Sequence, residues 1–198
     1  MASVQRSLIT MEIKVRQAQI KDGSKVAPLI VDAIGEIANR ITGEETPEAV
    51  IEGLIELFER EDNRNSYLNT YVAECNGEVA GMMVVYGGDQ AVSLDAQLEK
   101  WLAAKNAPVQ TIEVEANPDE FYIDTVCVDP QFRGQGIGTI LLKYAETLCK
   151  EQGYPKLSLS VELQKKRARH LYEKIGYVYS GPWMIIGEEF DHMVKVVQ

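Results

Sequence analysis

One stretch constrains this chain more than any other: Val126–Lys150, "VCVDPQFRGQGIGTILLKYAETLCK". An apolar strand ends near Val128, a short Asp129-Pro130 turn follows, and Arg133-Gly134-Gln135-Gly136-Ile137-Gly138 leads into a helical pattern. Glycines open positive φ and let backbone approach a ligand where a Cβ would stand. The first-turn N–H groups of the helix then converge on one spot, and the helix dipole adds partial positive charge there. A strand–glycine loop–helix unit of this kind belongs to an α/β fold and suits a pyrophosphate. It lacks the G-x-x-x-x-G-K-[ST] of a nucleotide-hydrolase loop. Its G-x-G-x-G spacing and the intervening "DPQFR" also miss the dinucleotide fingerprint. The glycines alone are equally compatible with a tight turn that holds no ligand.

The rest of the chain supplies alternating elements around that unit. Residues 12–18 alternate apolar and polar, predicting a strand. Val26, Leu29, Ile30, Ala33, Ile34 and Ile37 form one apolar face, predicting a continuous helix over 22–39. Thr46 and Pro47 fit an N-cap and first helical position, with Val50, Ile51, Leu54, Ile55 and Phe58 as the buried stripe. Asn76-Gly77 splits two β-rich runs and predicts a hairpin. Residues 88–118 read as an insertion between two strands of one sheet, helical through Leu94, Leu98, Trp101 and Leu102, then acidic and turn-rich. It either packs on the domain or covers a site. A central strand over 120–130, a helix closed by Gly153, a short strand at 156–161, a helix closed by Gly176 and one or two final strands turning near Gly187 complete the order. Residues 1–10, ahead of a second Met at position 11, are expected to be a flexible leader, and 11–198 a single α/β domain.

Net charge is −10 and the isoelectric point about 4.8. That balance opposes binding driven by nucleic-acid phosphates. It permits a cationic partner such as an amine, and equally serves solubility alone. Cys75, Cys127 and Cys149 show no paired spacing, and His170 and His192 no ligand cluster, so neither a disulfide framework nor a metal site is expected. No apolar run approaches the roughly 20 residues of a membrane span. A reducing cytoplasm is the simplest compartment.

The flanks of the glycine loop carry more than the glycines. An apolar strand, then V-x-P, then Arg133 followed by Gly136 and Gly138, then a leucine-rich helix, resembles the signature of the GNAT superfamily of N-acetyltransferases. "ARHLYEKIGY" (168–177) is similar to the family's A-x-x-L-Y-x-x-x-G-[FY], and "HMVK" (192–195) to its closing strand. The resemblance spans about residues 12–197. It implies a mixed, mostly antiparallel sheet with one splayed parallel strand pair and helices on both faces. It further implies acetyl transfer from acetyl-CoA to a primary amine, of a small molecule or a protein, by direct attack in a ternary complex. Homodimers formed through sheet edges or C-terminal strands are frequent in the family.

Carried over residue by residue, backbone groups of Val126, Cys127 and Val128 would pair with the pantetheine arm. Amides from Arg133, Gly134, Gln135, Gly136, Ile137, Gly138 and Thr139 would cradle the pyrophosphate. Tyr172 aligns with the tyrosine that protonates the departing thiolate, and a phenol keeps its proton near neutral pH. An ammonium acceptor must first lose a proton. Tyr122, Asp124 and Val126 share a strand face by alternation, which makes Asp124 either the base or a residue that orders water or binds the cation. Glu113, Glu115 and Glu120 are further acids from the insertion side. The same alternation sends Cys127 to the opposite face, as a small apolar residue rather than a nucleophile. One departure stands out. Where many members carry Asn, to bind the CoA arm, this chain has Lys165, opening a basic run (Lys166, Arg167, Arg169) that could meet the CoA 3′-phosphate. That departure also supports an alternative, a non-catalytic CoA-binding or regulatory module.

Overall fold

The computed structural model describes residues 12–197; the expected leader at 1–10 lies outside them. Seven strands form one sheet: β1 (Ile13–Gln17), β2 (Thr70–Cys75), β3 (Glu78–Gly87), β4 (Glu120–Val128), β5 (Lys156–Glu162), β6 (Val178–Ile185) and β7 (Glu188–Val196). Their order across the sheet is β1-β2-β3-β4-β5-β7-β6, with β4–β5 the one parallel pair. Among the described residues six helices accompany them: α1 (Gly23–Ile34), α2 (Ile37–Thr42), α3 (Pro47–Glu59), α4 (Gly88–Ala104), α5 (Ile137–Glu151) and α6 (Lys166–Lys174).

Two cores lie on the two sheet faces. Leu54, Leu57 and Phe58 of α3 and Leu98 and Leu102 of α4 pack with Met82, Val84 and Tyr122 on one face. Ile137, Leu141 and Ala145 of α5 pack with Met83, Val85 and Ile123 on the other. Local chemistry accounts for several boundaries. The Thr46 side chain accepts from Ala49 N, and Pro47 opens α3. Asn76 and Gly77 adopt φ of 50° and 88° at the β2–β3 turn, the pair of positive angles a tight hairpin requires. The single helix expected over 22–39 is instead two. Gly35, at φ 55° and ψ −127°, ends α1 in a conformation that suits glycine, and α2 starts two residues later.

Strand β4 carries the feature that positions the site. Val84 pairs with Thr125, yet Val85 pairs with Ile123, so Asp124 is an extra residue, a β-bulge. A bulge shifts the phase of side-chain alternation. Tyr122 and Asp124 do share a face, but Val126 packs with the α5 core on the other one. Cys127 joins the face of Tyr122. Both face assignments made by simple alternation are thus corrected by one inserted residue.

The β4–β5 pairing stops at Ile123–Leu159, although β4 runs on to Val128 and β5 to Glu162. The two parallel strands therefore part at the bulge. Asp129 N donates to Ala80 O, which fixes the hydrogen-bonding phase of β3 and β4. Alternation then turns the amides and carbonyls of Val126 and Val128 into the gap, and those of Cys127 toward β3.

Candidate active site

The gap between β4 and β5 opens into a cleft whose lining includes Asp124, Val126, Lys165 and Tyr172, with Glu115 and Ser160. Four residues expected from the sequence thus meet in one place. Apolar walls come from Ile34 and Ile37 near the α1–α2 break and from Ile185 and Phe190 of the last hairpin.

At the far end of β4 the glycine loop is exposed. Gly134 and Gly136 adopt φ of 78° and 81°, and Gly136 caps α5. A Cβ added at either would meet no protein atom within 4 Å, so it would project into open space over the loop. The first-turn amides of Ile137, Gly138 and Thr139 precede the first helical bond, from Ile140 N to Gly136 O at 3.1 Å. The Arg133 guanidinium is otherwise engaged: Nε donates to Val128 O at 3.0 Å and Nη2 pairs with Asp32. Lys165 likewise spans the cleft mouth, with Nζ on Ala33 O at 3.0 Å and on Glu162. These features fit the diphosphate and extended arm of CoA. The outward amides and carbonyl of the β4 gap would take the arm, and the loop amides the phosphates.

The cleft floor holds a group that the sequence reading did not assemble. Arg64 is 2% exposed. It donates to Asp95 Oδ1 at 2.8 Å, to Glu115 Oε1, to Asp124 Oδ2 at 3.2 Å and to Glu113 O at 3.2 Å. One guanidinium thus answers three carboxylates, and a buried excess of negative charge remains. Asp124 also accepts from Tyr86 OH at 3.1 Å and from Thr125 Oγ1 at 2.8 Å. Its oxygens are well occupied. Glu115 accepts from Tyr122 OH at 2.9 Å. Burial, which outweighs the pull of Arg64 and is helped by the Asp124 charge, pushes the Glu115 carboxyl up to about 7. Glu115, one of the acids considered from the sequence, therefore has the protonation behaviour of a base working near neutral pH.

Tyr172 reaches the cleft from α6. Burial raises its phenol to about 12, so it keeps its proton at neutral pH. Cys127 is held as a protonated thiol. Its Sγ lies 3.4 Å from Asp32 Oδ2, and burial followed by that carboxylate pushes the thiol up to about 12. The insertion takes both roles open to it. Leu98 and Trp101 of α4 pack into the core, while the coil after it carries Glu115 into the cleft. Trp183 Nε1 holds that coil by donating to Val114 O at 3.1 Å.

A sequence model described as the Acetyltransferase (GNAT) family matches residues 32–177. Among solved structures, an acetyltransferase is 32% identical, with a TM-score of 0.78 over 93% of this chain and 100% of that one. A putative ribosomal protein bS18-alanine N-acetyltransferase of Bacillus subtilis is 38% identical over 58 residues, 29% of this chain and 38% of that protein. The peptidyl-lysine N-acetyltransferase YjaB of Salmonella typhimurium is 37% identical over 60 residues, 30% of this chain and 38% of that protein. The chain thus spans well under half the length of these curated relatives. Among the described residues no helix is long and apolar enough to cross a membrane, and no group of acids, histidines and cysteines could hold a metal ion.

Proposed function

The chain belongs to the Acetyltransferase (GNAT) family, and on that premise we propose that it transfers an acetyl group from acetyl-CoA to a primary amine by direct attack. The observation that carries this reading is the cleft at the β4–β5 parting, where Glu115, at about 7, and Tyr172, at about 12, line one space. Acetyl-CoA supplies the activated acyl group. The chain's own residues bind it and move protons.

Outward backbone of Val126 and Val128 holds the arm, and the amides around Gly134 to Thr139 hold the diphosphate. Two groups with opposed tasks flank the acceptor. Glu115 accepts the proton that frees the amine nitrogen. Tyr172 gives its proton to the departing thiolate. Asp124 holds Arg64, and Arg64 orients Glu115, so Asp124 acts one step back from the amine. The buried negative excess around Arg64 favours a cationic acceptor over a neutral one. Curated relatives include some whose names put the acceptor amine on proteins and one whose name puts it on the small molecule thialysine, so both classes of amine are to be tried here.

The experiment is release of free thiol from acetyl-CoA over a panel of primary amines, peptide N-termini and lysine peptides. Acceptor-dependent release is expected. Tight binding of acetyl-CoA with no release above background for any acceptor would favour a non-catalytic CoA-binding module instead.

A further inference from the structure

The cleft continues past its mouth. Ala33, Ile34, Ile37 and Phe190 line both the inner cleft, of about 110 Å³, and an outer groove of about 420 Å³. One wall of the groove is the α1–α2 break and the other the β6–β7 turn, with the residues before α6 between them. Acetyl-CoA is assigned to the β4–β5 gap and the glycine loop, so the groove is left for whatever trails behind the reacting amine. Ile186 and Gly187, at φ 48° and 79°, form the turn between β6 and β7. Asn or Gly sits at such a φ readily, whereas a β-branched residue there is an outlier. That strained backbone keeps the Ile186 side chain on the groove, which Ile34, Ile37 and Phe190 also line. On the other wall Gly35 turns the chain at φ 55°, and a Cβ there would meet no protein atom within 4 Å, so a partner can lie against bare backbone. Four carboxylates belong to the same lining. Asp32 pairs with Arg133, and Glu162 with Lys165. Glu36 and Glu188, one on each wall and both exposed, enter no ion pair among the described residues.

We propose that the acceptor is a polypeptide, and that the outer groove selects one bearing an apolar side chain and a Lys or Arg close to the reacting amine. The apolar group packs on Ile37, Ile186 and Phe190, and the cation is held by Glu36 and Glu188. The inference rests on the amine-acetylation reading and narrows it. A linear diamine or triamine carries charge but no side group for the apolar lining, and so slender a chain would leave the groove wet. A peptide supplies both. Glu36 and Glu188 touch no reacting atom; they decide which amine is presented to Glu115. Because both acids are exposed, each pairing with the cation is modest and is weakened by salt. The apolar lining adds a contribution that salt does not weaken.

The test reads binding apart from turnover. Fluorescent peptides are titrated onto the protein loaded with CoA, and affinity is followed by anisotropy. One series has a free N-terminus and no lysine; the other has a single lysine and a blocked N-terminus. Within each, the residues beside the amine are varied as Leu or Ser and as Arg, Gln or Glu. In the series that binds better, Arg is expected to be favoured over Gln by about tenfold, as two exposed charge pairs allow, with Glu weaker still and the preference shrinking as salt is raised. Glu36→Gln and Glu188→Gln should each reduce that preference, and the double variant should bring it close to one. Ile186→Asn should raise the melting temperature, since Asn suits the positive φ, and should remove the advantage of Leu over Ser. Equal affinity for the Arg, Gln and Glu peptides overturns the proposal, as does a preference that survives in the double variant. A linear triamine that binds more tightly than the Leu–Arg peptide overturns a polypeptide as the occupant. If the preference is found but the wild-type protein releases no thiol, acetyl transfer falls and the groove assignment stands. Thiol release without the preference does the reverse.

Discussion

The Tyr122 phenol donates to Glu115 Oε2 at 2.9 Å, so a residue of the central strand holds the one cleft acid whose carboxyl sits at about 7. The base in this account therefore comes from the coil before β4, and the strand itself supplies its support.

Replacing Glu115 by Gln keeps its shape and its bond to Tyr122 while removing the base. Turnover is expected to fall about 100-fold or more, in the range typical for loss of a positioned base, with acetyl-CoA affinity unchanged by calorimetry. An affinity loss of the same size would mean that Glu115 shapes the CoA site instead.

The wild-type pH profile follows from the same residue. Below about 7 the Glu115 carboxyl holds its own proton and cannot accept another, so kcat rises with pH and levels above about 7. The inflection disappears in Glu115→Gln. The stability effect has the opposite sense. Because the folded value is raised from 4.5, the folded chain binds a proton that the unfolded chain has released between 4.5 and about 7. This group's contribution is present below that window and is lost as pH rises through it. Thermal melts of Glu115→Gln should lack that decline.

Arg64→Met removes the one cation shared by Asp95, Glu115 and Asp124. Leaving buried charge uncompensated costs about 3–5 kcal/mol, measurable by urea unfolding. A loss under about 1 kcal/mol would place the group among ordinary surface pairs.

Gly136→Ala puts a side chain on a backbone at φ 81° and a methyl over the open face of the loop. The strain is about 1–2 kcal/mol, and acetyl-CoA affinity is expected to fall further than this strain requires. Gly153→Ala, at φ 79° after α5 and away from the loop, is the control, with similar strain and unchanged affinity.

Tyr172→Phe is expected to lower kcat at least tenfold while the protein still binds acetyl-CoA. A thiol leaving group far more acidic than CoA, offered as an acetyl thioester, should recover most of the loss. No recovery would mean the phenol is packing and not donating a proton.

What could be read from the sequence was whatever depends on neighbours in the chain. Thr46-Pro47 and Asn76-Gly77 act through their own backbone geometry and needed no tertiary context. The glycine loop was likewise local. Three features were not. The extra residue at Asp124 has no composition signal, since a bulge is defined by what the partner strand does. Arg64 finds Asp95, Glu115 and Asp124 only because the sheet brings the four together. The acidic, turn-rich stretch offered Glu115 only as one candidate beside Glu113 and Glu120, since nothing local marks which of them the fold brings into the cleft. One signal could have raised the question: Asp95 lies on the same helical stripe as Ala91, Leu98 and Leu102, all buried. A carboxylate on a buried stripe calls for a buried cation.

The most direct test of direct transfer between two bound substrates is an initial-rate grid, varying acetyl-CoA and the best amine acceptor together. The account predicts reciprocal plots that intersect, the mark of a ternary complex in which the amine meets the thioester beside Glu115 and Tyr172. Parallel lines, or acetyl retained covalently on the protein after CoA has left, would contradict it.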